Sequence, residues 1–134
     1  ALATIVKVEG MHRIADTFGP IPYVNYGSSS LYDALDLVYN KFFEELDNAI
    51  EVLSNYVNGN VDAKLMSDYD CVYGGDVEKW VKFANTLRLR LAIRVSYANP
   101  TLAEAQAKKS MENMFGFIES KAERAELSAI KSLI

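Results

Sequence analysis

Between residues 31 and 57 apolar side chains recur every three or four positions. Leu31, Leu35, Val38, Tyr39, Phe42, Leu46, Ala49, Ile50, Leu53, Tyr56 and Val57 fall on one arc of a helical wheel. Asp33, Asp36, Asn40, Glu44, Asp47, Glu51 and Ser54 fall opposite. A strand would alternate every second residue, so the period predicts an amphipathic helix over 31–57. Ser30 followed by Asp33 reads as a capping box at its start, and Asn58-Gly59 as its stop.

A second long helix is predicted over 77–98, with Asp76 as N-cap and Glu78 in the first turn. Its main stripe is Val77, Trp80, Val81, Ala84, Leu87, Leu91 and Val95, while Leu89 and Ile93 lie roughly opposite. Apolar residues on two sides predict a helix held between layers. Arg88 falls within the main stripe, where it must snorkel or meet a carboxylate. Asn99-Pro100 then restarts a helix over 100–115, with Ala103, Ala107, Met111 and Met114 along one side and Gly116 at its end. Ser120 and Glu123 form a further capping box before a thin stripe of Leu127, Ile130 and Leu133 or Ile134, giving a last helix over 120–133. The first segment is ambiguous. Thr4-Ile5-Val6-Lys7-Val8 is β-branched enough for a strand, and residues 2–18 carry a weak helical stripe broken by Gly10. The Gly19-Pro20-Ile21-Pro22 to Gly27-Ser28-Ser29-Ser30 stretch, and that from Asn58-Gly59-Asn60 to Gly74-Gly75, are breaks. The fold class is all-α, built of antiparallel helix pairs. No internal repeat of tetratricopeptide length is visible.

At 134 residues the chain is one domain or part of one. A formal charge of −4 argues against sequence-blind nucleic-acid binding. One Cys and one His exclude an internal disulfide and a His/Cys zinc site within one chain, so no metal site is expected. No apolar run is long enough to span a membrane, and ALATIVKVEG lacks the pattern of a signal peptide. With no initiator Met, the sequence reads as processed or as a fragment.

No catalytic motif is recognisable: there is no nucleophile elbow, no phosphate loop and no cofactor signature. Gly74-Gly75-Asp76 has the makings of an anion nest, but a turn closed by the Asp76 side chain is favoured. His12 and Asp16 are spaced as an acid/base couple, though without a nucleophile nearby a structural histidine is favoured. Glu44, Glu45 and Asp47 read as a solvated face, and Cys71, among acidic neighbours, as an inert thiol. The aromatics draw more attention. Phe18, Tyr23, Tyr26 and Tyr32 crowd the first break, and Tyr69 and Tyr73 flank the second. A loop tyrosine offers a flat face to the C–H side of a sugar and a polar tip to its hydroxyls. Tyr23 and Tyr26, then Tyr69 and Tyr73, are the candidate ligand-binding residues; the competing reading is that they pin loops to the core.

Three strings in order resemble SusD/RagB-type outer-membrane lipoproteins. His12-Arg13-Ile14-Ala15-Asp16-Thr17-Phe18-Gly19-Pro20-Ile21-Pro22-Tyr23 resembles the family's helix-to-loop passage, and Tyr32-Asp33 through Ala49-Ile50-Glu51 its following helix. The third match, Tyr73-Gly74-Gly75-Asp76 through Lys79-Trp80-Val81-Lys82-Phe83-Ala84-Asn85-Thr86-Leu87-Arg88-Leu89-Arg90 to Arg94, is similar to the family's GGD-to-LRLR helix. The matches cover roughly residues 5–105; the tail after Gly116 departs from them. The resemblance implies a mostly helical, tetratricopeptide-like fold, with residues 2–18 helical and the whole of 1–134 a single helical segment of a larger domain. It implies a non-enzymatic protein that captures glycans or other nutrients on the extracellular face of the outer membrane. Such proteins are held by a lipid anchor absent from these residues and sit on a SusC-like TonB-dependent transporter. No matched motif carries glycan-contacting residues. The alternative is a generic helical-repeat interaction module with no sugar role. A last expectation follows from the two-sided helix: as an incomplete fold, the chain leaves Leu89 and Ile93 in an apolar patch.

Overall fold

The computed structural model describes residues 1–28, 31–60, 62 and 64–127. It contains four α-helices in the order α1 (Leu2–Phe18), α2 (Leu35–Gly59), α3 (Val77–Val95) and α4 (Pro100–Glu112), followed by a 3-10 turn at Lys121–Glu123. Among the described residues there is no strand, only isolated bridges between Ile21 and Asp33 and between Lys64 and Asp76. The first segment is therefore helical. Ile5, Val8, His12 and Ala15 line its buried side, and the β-branched residues are tolerated because that side is covered.

Successive helices run antiparallel. Asp16 of α1 meets Tyr39 of α2, Asp47 of α2 meets Arg88 of α3, and Ser110 of α4 meets Asn85 of α3. α1 also touches α3, where Arg90 lies 3.5 Å from Glu9 and Arg94 lies 3.2 Å from Asp16. Because α2 packs on α3 as well as on α1, the antiparallel helix pairs join into one continuous array. The core is the α2 stripe, with Phe42, Phe43 and Leu46 almost wholly buried, against Leu87 and Leu91 of α3. Burying each such side chain contributes about 1.5–3 kcal/mol.

Several boundaries differ from expectation, each for a local reason. α2 begins at Leu35 rather than at 31, with Ala34 as an N-cap that makes no side-chain bond. Asp33 stands outside the helix because its carboxylate is taken by the preceding loop; Ser30, its proposed capping partner, lies outside the described residues. α3 stops at Val95 rather than 98 because Asn99 leaves the helix to cap α4, accepting from the Leu102 N–H at 3.0 Å. α4 ends at Glu112 rather than 115 and turns a different face inward. Ala103, Gln106 and Ser110 are buried, whereas Met111 and Met114 are 67% and 75% exposed. The small serine lets α4 approach α3 closely and donates to the Asn85 carbonyl at 2.5 Å, which a methionine stripe could not do. The expected helix 120–133 is reduced to Lys121–Glu123 in the described residues; positions 128–134 lie outside them.

The segment after α4 lies back along α3. Asn85 donates to the Gly116 carbonyl, the Ile118 N–H donates to Thr86, and Lys82 pairs with Glu123 at 2.6 Å. This covers the N-terminal half of the second face of α3. The C-terminal half stays open: Leu89 is half-buried, Ile93 is 66% exposed and Tyr97 is fully exposed.

Candidate functional site

The antiparallel order puts the α1–α2 loop and the α3–α4 junction at one end of the array, and the α2–α3 loop at the other. The four candidate tyrosines are thereby divided. Tyr23 and Tyr26 lie at the first end and Tyr69 and Tyr73 at the second, separated by α2, whose 25 residues span roughly 37 Å. They do not form one platform.

Within each pair one ring is held and one is presented. Tyr23 packs edge-on against Phe42, with centroids 4.9 Å apart, and its hydroxyl donates to Glu45 at 2.5 Å. Lys7 covers its ring and also pairs with Glu45. Burial, then the hydrogen bond and charge of Glu45, push the Tyr23 hydroxyl far above its ordinary range. Tyr73 is 9% exposed, stacks edge-on against Trp80 and donates to the Glu123 carbonyl at 2.9 Å. Burial first, and then the charges of Asp70, Glu123 and Asp76, push it up to about 12. Tyr26 and Tyr69, each 81% exposed, turn their rings outward.

Each loop is closed by one carboxylate. Asp33 accepts from the N–H groups of Tyr23 and Val24 at 2.8 and 2.7 Å and from the Asn25 side chain at 2.8 Å. The Tyr23 amide above all, helped by Val24 and Asn25, holds its carboxyl below the usual range against the opposing effect of burial. At the other end Asp70 Oδ1 accepts from the Val72 and Tyr73 N–H groups, and Oδ2 from the Gly75 N–H at 2.9 Å and the Trp80 indole at 2.7 Å. The Gly-Gly turn is thus a nest, but its anion is the chain's own Asp70. Gly75 has φ +85, and a Cβ there would stand 2.9 Å from the Leu65 carbonyl oxygen, so both its conformation and the close approach require glycine. Asp76 caps α3 as expected.

Sequence reasoning missed both clasps. Asp70 precedes its turn by the two- and three-residue spacing at which an aspartate folds onto backbone amides, a signal present but read as acidic surroundings. Asp33 clasps amides eight to ten residues behind it, a contact with no short-range signal, and reads from sequence as part of a helix cap. The other candidates resolve more simply. His12 is buried with Nδ1 3.2 Å from the Val8 carbonyl, and Asp16 is engaged by Tyr39 and Arg94, so the two make no couple. Glu45 and Asp47 are not a solvated face: Glu45 holds Lys7 and Tyr23, and Asp47 holds Arg88 at 2.5 Å and Lys109 at 2.7 Å. Cys71 is an exposed free thiol. Among the described residues no cluster of His, Cys, Asp and Glu is suited to a metal ion.

At the first end the helix termini enclose a cleft of about 520 Å³. Ala15, Leu35, Val95, Ala98 and Leu102 give it an apolar floor. Asp16, Tyr39 and Arg94 form one polar wall, linked by the Tyr39 hydroxyl donating to Asp16 at 2.5 Å and Arg94 Nε lying 3.2 Å from the other Asp16 oxygen. Burial, reinforced by Asp16, raises the Tyr39 hydroxyl well above its usual range despite the nearby Arg94. Asp36 and Asn40 stand one helical turn apart on another wall, and their side chains bond to no described residue.

A family model described as SusD-like, SusD and RagB outer membrane lipoprotein, matches residues 1–133. A SusD homologue from Bacteroides uniformis is 44% identical and superposes with a TM-score of 0.84, over 92% of this chain and 25% of its own. A chitin-binding SusD homologue from Flavobacterium johnsoniae is 40% identical, with a TM-score of 0.91 over 96% of this chain and 27% of its own. A SusD homologue from Bacteroides vulgatus gives 39% and 0.88 over 97% and 26%. None of the curated proteins matches the chain. The chain spans about a quarter of the length of these solved relatives, and the part it matches is the all-helical array described above. A family match over nearly every residue, and helices that superpose on those of several homologues, place this chain in the SusD-like family.

Proposed function

We propose that the chain is the helical scaffold of a glycan-capture protein held on the extracellular face of the outer membrane. The observation that carries this is family membership over residues 1–133, in a family described as outer membrane lipoproteins, with a chitin-binding homologue among the relatives. In this reading the array docks a SusC-like TonB-dependent transporter and passes captured sugar to it. A lipid anchor holds the protein to the membrane. Its role is binding, not catalysis.

Of the four loop tyrosines, we assign ligand contact to Tyr26 and Tyr69, whose rings face solvent, and loop anchoring to Tyr23 and Tyr73, whose rings and hydroxyls are engaged. Calorimetric titration with chitotetraose and maltotetraose tests this. The two rings lie at opposite ends of α2 and are separate contacts, so Tyr26→Ala should weaken binding at the first end and Tyr69→Ala at the second, each about tenfold at its own site, the worth of one stacking contact near 1.4 kcal/mol. Unchanged affinity in both variants would return these tyrosines to a structural role, and no binding by the parent would remove the sugar reading. Co-purification of a TonB-dependent transporter with the tagged protein from outer membranes is the expected sign of docking; its absence would refute that part.

A further inference from the structure

We propose that the cleft between the termini of α1, α2, α3 and α4 is a binding site for an uncharged sugar ring, distinct from the loop tyrosines. This rests on the glycan-capture reading and gives it a location. At about 520 Å³ the cleft is of the size that holds a small organic ligand, and its floor of Leu35, Val95, Ala98 and Leu102 suits the C–H face of a pyranose. The rim supplies the polar groups a sugar needs. Asp36 offers carboxylate acceptors and Asn40 both a donor and an acceptor, one turn apart, and neither is used within the described fold. Arg94 spends its Nε on Asp16 but is 60% exposed, which leaves its terminal nitrogens as donors.

Charge selects among sugars. Arg94 is neutralised by Asp16, so Asp36 leaves the cleft with a net negative charge, and a uronic or sialic acid would be repelled. A neutral hexose or N-acetylhexosamine is the class that fits.

The test is titration of the isotope-labelled chain with chitotriose, maltotriose and trigalacturonate, followed by amide NMR. A neutral trisaccharide should move the signals of Asp36, Asn40, Ala98 and Asn99 saturably, and trigalacturonate should not. The double variant Asp36→Ala with Asn40→Ala should weaken the response about tenfold or more. Both residues are exposed on the helix surface, so the fold should persist; Ala98→Trp, which fills the cleft without removing a polar group, should abolish the response independently. Neutral sugars that move only signals of the tyrosine loops would overturn the cleft assignment while leaving glycan capture standing. Equal binding of trigalacturonate would overturn the neutral class, and no response to any sugar would remove both readings.

Discussion

Replacing Asp70 with asparagine should cost far more than a conservative surface change. The carboxylate receives four donors, and two of them, the Gly75 N–H and the Trp80 indole, converge on one oxygen at 2.9 and 2.7 Å. Asparagine can satisfy the Val72 and Tyr73 amides with its single oxygen, but then turns an NH2 group toward the other two donors. Trp80 is 5% exposed, and Gly75 is buried, so water cannot take over. At about 1–3 kcal/mol for each stranded donor the loss comes to about 2–6 kcal/mol, from a domain whose total stability is of order 5–15 kcal/mol. Urea unfolding followed by Trp80 fluorescence measures this directly, since Trp80 is the only tryptophan and sits in the clasp. The sign of the pH dependence adds a second arm. Burial alone would raise the Asp70 carboxyl, but the Trp80 indole and the Tyr73, Gly75 and Val72 amides outweigh it and hold it below the usual range. Its stabilisation is therefore complete above the unfolded value of about 3.9 and is lost as pH falls through the folded one. The gap between parent and Asp70→Asn should shrink below that pH. A gap under about 0.5 kcal/mol at neutral pH, within the range of ordinary surface substitutions, would refute the clasp, as would a gap that does not change in acid.

Asp47→Ala should destabilise more than Arg88→Met in chemical denaturation, because it strands a guanidinium only 4% exposed at about 3–5 kcal/mol, whereas Asp47 keeps Lys109 when Arg88 is removed. Equal losses would mean that the pair is not the reason Arg88 is tolerated. Gly75→Ala should lower the melting temperature more than Gly74→Ala: both have positive φ, at about 1–2 kcal/mol for a Cβ, but only Gly75 meets the Leu65 backbone. The apolar strip of Leu89, Ile93 and Tyr97 should drive self-association, and sedimentation should show Ile93→Lys reducing it; a parent monomeric at every concentration would count against the strip.

The helices were legible because their stripes are long. Val38 through Leu53 repeats on one face for more than four turns, and no local competition outweighs that. Arg88 was legible for the opposite reason: a charge inside an apolar stripe demands a partner, and Asp47 supplies it. What misled was short-range ambiguity. An aspartate just before a helix serves equally as a cap or as a clasp on the loop behind it, and only the loop's return path decides that for Asp33. Methionine spacing in α4 suggested the buried face, whereas backbone approach, set by Ser110, chose another. The cleft was illegible because Asp16, Asp36, Asn40 and Arg94 come from three helices, and no local pattern ties them together.

The Asp33 N–H donates to the Ile21 carbonyl and the Asp33 carboxylate gathers the Tyr23 and Val24 amides, so the first loop is closed at its base, next to the start of α2. Extra residues within it would enlarge a loop whose ends are already fixed, and each doubling of its length costs only about 0.6 kcal/mol. This corner of the molecule is therefore a natural graft point. Segments of different length and composition can be exchanged beside the cleft while the helical frame keeps its register, so one scaffold can acquire new recognition surfaces without being refolded around them.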